Sequence, residues 1–243
     1  MKMLTLAKRN TKEILRDPLM VGFSLGFPLV VLFLLTAIQK NIPVPMFELS
    51  TLTPGVTVFG LSFMTLFSAT LIAKDRESAL LRRLYTAPLT SADFIFAYLL
   101  PLLPISLAQA AVCYLAAFAM GLTPTLTVLY ALLFLIPVSL FYVGLGLLCG
   151  SVFTVKQTGG ICGALLTNLS AWLSGIWFDI GLVGGVFQKI ANILPFVHAV
   201  ELERAVLAGN FDLILPHLLW VLGYTAAVLV FAVLLFLRQM KRQ

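Results

Sequence analysis

The chain has 243 residues, of which 60% are hydrophobic and only 11% are charged, with a mean hydropathy of +1.04 and a formal net charge of +6. A soluble domain has roughly 45–50% apolar and about 25% charged residues, so this composition excludes a soluble globular fold. Membrane spans would consume most of the length, which also excludes a second globular domain of about 100 residues. We therefore predict an all-α integral membrane protein with a single transmembrane domain over residues 1–243.

The first 18 residues predict an amphipathic helix in the membrane interface. Apolar or uncharged residues follow one helical stripe and charged residues the opposite one, namely Leu4, Ala7, Thr11, Ile14 and Pro18 against Arg9, Lys12, Glu13 and Arg16. The basic face would contact anionic lipid headgroups. Two interpretations stay open: a plain membrane anchor, or an anchor that also contacts a cytoplasmic partner.

Six runs without Asp, Glu, Lys or Arg predict six transmembrane helices, since about 20 apolar residues cross a bilayer core of about 30 Å. The runs cover Met20–Ile38, Val56–Ala73, Phe94–Met120, Thr127–Val152, Gly159–Phe178 and Leu218–Leu237. Turn residues at 121–124 separate the third run from the fourth. Because the runs contain no ionisable residue, the sequence disfavours a proton- or sodium-driven transporter, which usually needs a carboxylate near the midplane.

The basic residues predict the orientation. If the N-terminus is cytoplasmic, 13 of the 16 Lys and Arg residues fall in inner segments, and only Lys40, Lys189 and Arg204 fall outside. We therefore expect a multi-pass protein of the cell (plasma or inner) membrane with both termini in the cytoplasm.

A search for catalytic motifs finds none. The chain has no P-loop, no H-E-x-x-H and no G-x-S-x-G pattern. Its three cysteines fall within spans and form no C-x-x-C pair, and His198 and His217 are far apart in sequence. We therefore predict a non-catalytic chain without a metal or cofactor of its own. Glycines four residues apart predict close helix packing instead: Gly22 with Gly26, Gly146 with Gly150, and Gly159 with Gly163.

A charged, helix-prone segment from Lys74 to Leu89 interrupts the apolar sequence between the second and third spans. Leu80, Leu81 and Leu84 supply an apolar stripe, charged residues including Asp75 cover much of the remaining surface, and a proline ends the helix. The simpler interpretation is an ordinary basic loop. The alternative is a helix that binds another protein.

This segment, RESALLRRLYTAPLT, resembles the sequence that follows the second span in the type 2 ATP-binding-cassette (ABC) exporter permeases, roughly R-E-x-G-T-L-x-R-L-x-x-T-P-L. The matching residues are Arg76, Glu77, Leu81, Arg83, Leu84, Pro88 and Leu89. Segment 52–55, just before the second span, resembles the Pro-Gly entry of the same family. Segments 173–178 and 193–196, with Arg204, resemble the end of its fifth span and the external segment that follows. The chain departs from the pattern at Ala79 and Leu80, where Gly-Thr is common, at Asp179, and at 184–185.

The resemblance implies the permease subunit of an ATP-driven exporter. It implies two copies of a cytoplasmic ABC ATPase that bind ATP and Mg, a second permease subunit in a homodimer, and no nucleic acid. Residues 74–89 would form the coupling helix that docks on the ATPase, through Arg76, Glu77, Leu80, Leu81, Arg82, Arg83 and Leu84. The alternative from another class is an ATP-independent secondary transporter or a membrane assembly protein.

The resemblance also places the translocation path between the second and fifth spans. Two stripes share helix faces there, Phe59, Phe63 and Phe67 on one and Leu165, Asn168 and Trp172 on the other. An aromatic stripe is more often ordinary helix packing than the wall of a substrate path, and both interpretations stay open. The uncharged spans favour an amphipathic or hydrophobic substrate.

Residues 179–216 are too long for a simple turn and predict a helical hairpin that re-enters the outer leaflet, allowed where protein shields its backbone. The resemblance makes this hairpin the cap of the exit. Glu201 and Arg204, three residues apart, predict a structural ion pair.

Overall fold

The computed structural model describes residues 2–78 and 91–240, and within those ranges the regular elements are all helices, with no strand. The N-terminal half contains α1 (Lys2–Leu15), α2 (Pro18–Asn41), a 3-10 turn (Pro45–Phe47), α3 (Leu49–Glu77), α4 (Ser91–Ala119) and α5 (Leu126–Val152). The C-terminal half contains α6 (Val155–Thr158), a π-helix (Gly159–Leu166), α7 (Thr167–Trp172), α8 (Ile180–Val183), α9 (Gly185–Ile193), α10 (Pro195–Ala208) and α11 (Phe211–Met240). Most of the predicted coupling helix therefore lies outside the described residues.

Five of the described helices are long and apolar enough to cross a membrane: Met20–Asn41, Leu49–Glu77, Asp93–Ala119, Leu126–Val152 and Phe211–Leu235. They correspond to the first four predicted spans and the last one. The helices extend beyond the charge-free runs, most of all α3, which begins at Leu49 and ends at Glu77, and α11, which begins at Phe211. A charge-free run marks only the hydrocarbon core, whereas a helix continues through the interface as long as its side chains find partners there.

The predicted fifth span is not among these long helices. α6, the π-helix and α7 form one helical run of 18 residues, which ends at Trp172 instead of Phe178. Glycines at 159, 160 and 163 weaken the α-helix here. The Thr167 hydroxyl donates to the carbonyl of Cys162, five residues earlier, at 3.0 Å. That spacing is the register of a π-helix, so the sequence accommodates the wider turn.

α3 forms the centre of the fold and packs most closely against α5. The Thr65 hydroxyl donates to the Tyr142 carbonyl at 2.9 Å, and the Ser68 hydroxyl donates to the Val143 carbonyl at 3.0 Å. A Cβ atom on Gly146 would lie 2.2 Å from the Thr65 carbonyl oxygen, and one on Gly150 would lie 2.4 Å from that of Ala69. Only glycine permits this approach, so the predicted packing face at 146 and 150 is confirmed.

The other two predicted glycine pairs do not approach a neighbouring backbone as closely as Gly146 and Gly150 do. A Cβ on Gly22, Gly26 or Gly159 would meet no atom of the described chain within 4 Å, whereas one on Gly163 would lie 3.2 Å from Leu66. Nothing in the described chain packs against the glycines at 22 and 26, because α2 presents them outward, and a close packing face there stays a prediction.

Gly146→Ala is expected to destabilise the protein by about 1–3 kcal/mol, because the added methyl group would overlap the α3 backbone. The matched control is Gly223→Ala on α11, where no described atom lies within 4 Å and alanine improves helix propensity. Thermal unfolding in detergent should show a lower Tm for the first variant and an equal or higher Tm for the second. Equal Tm values for the two variants would contradict the close approach.

Arg204 of α10 ties three segments together at one end of α3. It forms an ion pair with Glu201 at 2.8 Å, which confirms the predicted pair. It also donates to the Thr51 carbonyl in the first turn of α3 at 3.2 Å, and to the Gly175 carbonyl after α7 at 3.1 Å. This end of α3 is therefore fixed to α10 and to the turn after α7.

Candidate functional site

The candidate site lies at the opposite end of α3, where the charged segment 74–89 begins. Asp75 is only 1% exposed, and its Oδ2 accepts hydrogen bonds from Arg9 Nη1 at 2.5 Å and from the Tyr98 hydroxyl at 2.6 Å. A buried carboxylate needs such partners to offset its desolvation. The expectation that Asp75 belongs to the exposed charged surface of this segment is therefore wrong, because it joins α1 and α4 to the end of α3.

Asn10 makes a second link between α1 and α4. Pro101 has no N–H, so the helical hydrogen bond that the Ala97 carbonyl would accept is missing. The fully buried Asn10 side chain supplies the donor instead, with Nδ2 at 3.1 Å from that oxygen. The same contact thus satisfies the carbonyl that Pro101 leaves without a helical donor and holds α1 against α4.

Arg9 carries charge across this junction. Besides Asp75 it contacts Glu13 one turn along α1, at 2.5 Å. Burial alone would lower the pKa of Arg9, but the hydrogen bond with Asp75 and the charges of Asp75 and Glu13 raise it above its ordinary value. The guanidinium therefore stays charged and keeps its ion pairs with both carboxylates. Its pair with Asp75 holds the end of α3 against α1.

Arg76 and Glu77 fix the end of α3 to the junction between α5 and α6. The Arg76 guanidinium donates to the Ser151 carbonyl and, at 2.5 Å, to that of Phe153. Glu77 Oε1 accepts from the Val155 backbone N–H at 2.9 Å. Helix ends leave such groups without intrahelical partners, so Arg76 caps the end of α5 and Glu77 caps the beginning of α6.

The contacts of Asp75, Arg76 and Glu77 fix the point at which segment 74–89 leaves α3. The segment that follows Ser78 starts from a point fixed to α1, α4 and the α5–α6 junction, so a force on it reaches four helices at once. Arg76 and Glu77 have partners within the chain, and their contact with an ATPase stays a prediction. The other predicted coupling residues, Leu80, Leu81, Arg82, Arg83 and Leu84, lie outside the described residues.

The predicted path residues fall into two environments. Phe59 and Phe67 are buried, and the rings of Phe59 and Phe63 contact Phe27 at centroid distances of 5.9 and 5.6 Å. Phe59 also contacts Trp177 at 5.6 Å, so this stripe packs within the fold. The second stripe shares one outward face, as its spacing predicts, and all three members are exposed: Leu165, Asn168 and Trp172. The role of both stripes in transport stays a prediction.

The family model of the ABC-2 type transporter matches residues 1–208. The chain belongs to the ABC-2 type transporter family. Domains of this family are transmembrane permease domains, generally non-catalytic, and the ATPase activity resides in an associated ABC ATPase subunit. Together with the long apolar helices, this membership makes the chain a multi-pass membrane protein. Among curated proteins, none is significantly similar to it in sequence.

The match covers the whole junction around Asp75 in this ABC-2 chain. It runs from α1 to the end of α10 and stops before α11. The predicted family is thereby confirmed, and the coupling role of the segment after the second span stays a prediction.

The ABC-2 chain contains a buried carboxyl group that sequence reasoning missed. Glu203 of α10 is fully buried, and neither carboxyl oxygen has a hydrogen-bond partner among the described residues. Burial raises its pKa well above the ordinary value, and its carboxyl group interacts electrostatically with the Tyr114 hydroxyl, which also has no hydrogen-bond partner among the described residues. The signal in the sequence was helical spacing, because Glu203 shares a face with buried Val200 and Val206.

Glu203→Gln is expected to make stability less dependent on pH. The pKa is higher in the folded state than in the unfolded state, so unfolding releases a proton and stability falls as pH rises above about 4.5, the ordinary value. In thermal unfolding between pH 5 and 8, the wild type should lose more Tm with rising pH than the glutamine variant. Parallel profiles would show that Glu203 has no raised pKa.

A histidine pair in the ABC-2 chain was also missed. His198 of α10 and His217 of α11 are 19 residues apart in sequence, but their Nδ1 atoms lie 2.9 Å apart. His198 also stacks on Trp220 at 4.8 Å, and its Nε2 lies 2.9 Å from the Asn192 carbonyl oxygen. A carbonyl can only accept, so Nε2 carries a proton and neutral His198 accepts at Nδ1. Within the described ranges no third ligand completes a metal site.

Proposed function

We propose that this chain is the permease subunit of an ATP-driven exporter that works with a separate ABC ATPase. The observation that carries the proposal is the fixed base of segment 74–89, where Asp75, Arg76 and Glu77 bind three different parts of the fold. This anchoring supports the proposal because it gives a force on the segment a direct route to the helices that its base binds. ATP and Mg bind to the partner ATPase, and the complex contains two ATPase and two identical permease subunits.

In this proposal the segment transmits motion from the motor to the membrane helices. ATP binding brings the ATPases together and displaces the docked segment, through Arg82 and Arg83 by charge and through Leu80, Leu81 and Leu84 by apolar contact. Because the base of the segment is tied to α1, α4 and the α5–α6 junction, these helices move together with α3. Hydrolysis returns the assembly to the first state, which makes the cycle a ligand-driven population shift.

Two contacts support six spans. The run formed by α6, the π-helix and α7 begins beside Glu77, at one end of α3. It leads to Gly175, whose carbonyl accepts from Arg204, and Arg204 also contacts Thr51 at the other end of α3. Its 18 residues rise by about 27 Å, close to the bilayer core of about 30 Å. We propose this run as the fifth span. The basic residues near the base of segment 74–89 support a cytoplasmic position for that side and for both termini.

The exposed face of Leu165, Asn168 and Trp172 supports a path between two permease subunits. The Asn168 amide donates to the Ala164 carbonyl at 2.7 Å and keeps its own oxygen available. A mostly apolar face with one amide suits an amphipathic or hydrophobic substrate, moved out of the cytoplasm or inner leaflet. α9 and α10 form the re-entrant external cap of this path.

The test is co-purification with an ABC ATPase, and the first candidate is any P-loop ATPase encoded in a neighbouring reading frame. Permease and ATPase together should form a stable complex, and ATP turnover in liposomes should differ from that of the ATPase alone. A partner variant that lacks the P-loop lysine is the control and should bind without turnover. If the permease binds no ATPase and moves substrate with an ion gradient alone, the secondary-transporter alternative replaces this proposal.

A further inference from the structure

A groove between α1 and α4 lies beside the base of segment 74–89. Its volume is about 790 Å³, within the range of small-molecule sites. Apart from Lys8, Thr11 and Lys12, the side chains that line it are apolar. They include Leu4, Leu15, Leu100, Pro104, Ile105 and Ala108.

The groove combines an apolar floor with a basic rim. Leu4, Leu15 and Leu100 are 57%, 62% and 44% exposed, and the exposed Lys8 and Lys12 stand one turn apart above them. Within residues 2–78 and 91–240, no carboxylate forms a salt bridge with either ammonium group. The two lysines therefore offer unneutralised positive charge directly over exposed hydrocarbon.

The walls of the groove are held in place. Buried Leu6, Ala7 and Ile14 pack α1 onto the core, and the Asn10–Ala97 hydrogen bond fixes α1 to α4. The site is thus formed before any ligand binds, which lowers the ordering cost of binding.

We propose that this groove binds an anionic phospholipid of the bilayer, with its headgroup phosphate on Lys8 and Lys12 and an acyl chain along Leu100 and Ile105. Charge complementarity selects this occupant. A free phosphate would leave the apolar floor exposed, and a zwitterionic lipid would bring its own cation next to the lysines. Polybasic segments at a membrane surface attract anionic lipids in this way.

The site has a consequence for coupling that rests on the proposed function. Beside these two lysines α1 carries Arg9, which holds Asp75 at the base of segment 74–89. A lipid in the groove clamps α1 against α4 and thereby stabilises that contact. The permease should therefore drive ATP turnover better in bilayers that contain anionic lipid.

The test measures lipid binding to the purified full-length permease without ATPase, using dioleoyl-phosphatidylglycerol and dioleoyl-phosphatidylcholine as probes in native mass spectrometry. Phosphatidylglycerol should bind more tightly. The Lys8→Gln/Lys12→Gln variant should lose roughly 30-fold in affinity for it, equivalent to about 2 kcal/mol for two surface lysines. Ala108→Phe, which fills the groove without a change of charge, should weaken both lipids.

The matched control is Arg16→Gln/Lys156→Gln, which removes two exposed cations from the same side but outside the groove lining. It should retain affinity within about two-fold. Equal binding of the two lipids, or equal losses in the two double variants, would overturn the proposal. So would a result in which the Lys8 and Lys12 changes alter subunit assembly and leave lipid binding unchanged. Because the assay contains no ATPase, its outcome is independent of the exporter proposal.

Discussion

Asp75→Ala is expected to uncouple ATP turnover from transport and to lower stability by about 2–3 kcal/mol. The substitution removes the acceptor of two hydrogen bonds, those from Arg9 and Tyr98, and leaves both donors without it. Hydrogen bonds to a charged group contribute about 1.5–3 kcal/mol, and Arg9 is partly exposed, which reduces the total. The loss frees the base of segment 74–89 from α1 and α4.

The measurement is thermal unfolding together with substrate moved per ATP hydrolysed in reconstituted complex. Glu13→Gln is the matched control, because it removes a carboxylate from the same Arg9 at a site 33% exposed. A surface pair of this kind contributes under about 1 kcal/mol, so the control should keep both Tm and coupling. If Asp75→Ala behaves like Glu13→Gln, the buried junction does not transmit force.

Arg204→Ala is expected to destabilise the other end of the fold by about 2–4 kcal/mol. Arg204 is 15% exposed. It forms an ion pair with Glu201 and donates hydrogen bonds to the carbonyls of Thr51 and Gly175. The alanine variant leaves two backbone carbonyls without this donor and Glu201 without its partner. Arg204→Lys should recover only part of the loss, because a single ammonium cannot reproduce the fork of the guanidinium.

Thermal unfolding in detergent tests this prediction, with Lys189→Ala on α9 as the control. Lys189 is exposed and forms no salt bridge within the described ranges, so its loss should leave Tm within about 1 °C. An Arg204→Ala variant with the Tm of the control would show that the three contacts contribute nothing to stability.

The sequence predicts the features that depend on local pattern. Charge-free runs locate the five long helices, and the spacing of Glu201 and Arg204 predicts their ion pair. The motif after the second span identifies the family that the match over residues 1–208 shows. Each of these signals lies within a few residues or one helix.

Features that depend on distant contacts were not predictable in this way. Asp75 is buried because of Arg9, 66 residues earlier, and Tyr98, 23 residues later. Asn10 is buried where its side chain donates to the Ala97 carbonyl, which Pro101, far along the chain, leaves without a helical donor. The histidine pair likewise arises from the packing of α10 against α11, which no single run of sequence encodes.

The central claim is that residues 74–89 couple a separate ATPase to the membrane helices. The most direct measurement is ATP turnover and co-purification of the complex with Arg82 and Arg83 both changed to Glu, beside a control with Arg16 and Lys156 both changed to Glu. We predict that reversal of Arg82 and Arg83 abolishes assembly or permease-dependent turnover, while the control retains both. A complex with unchanged assembly and turnover after the Arg82 and Arg83 reversal would contradict the account.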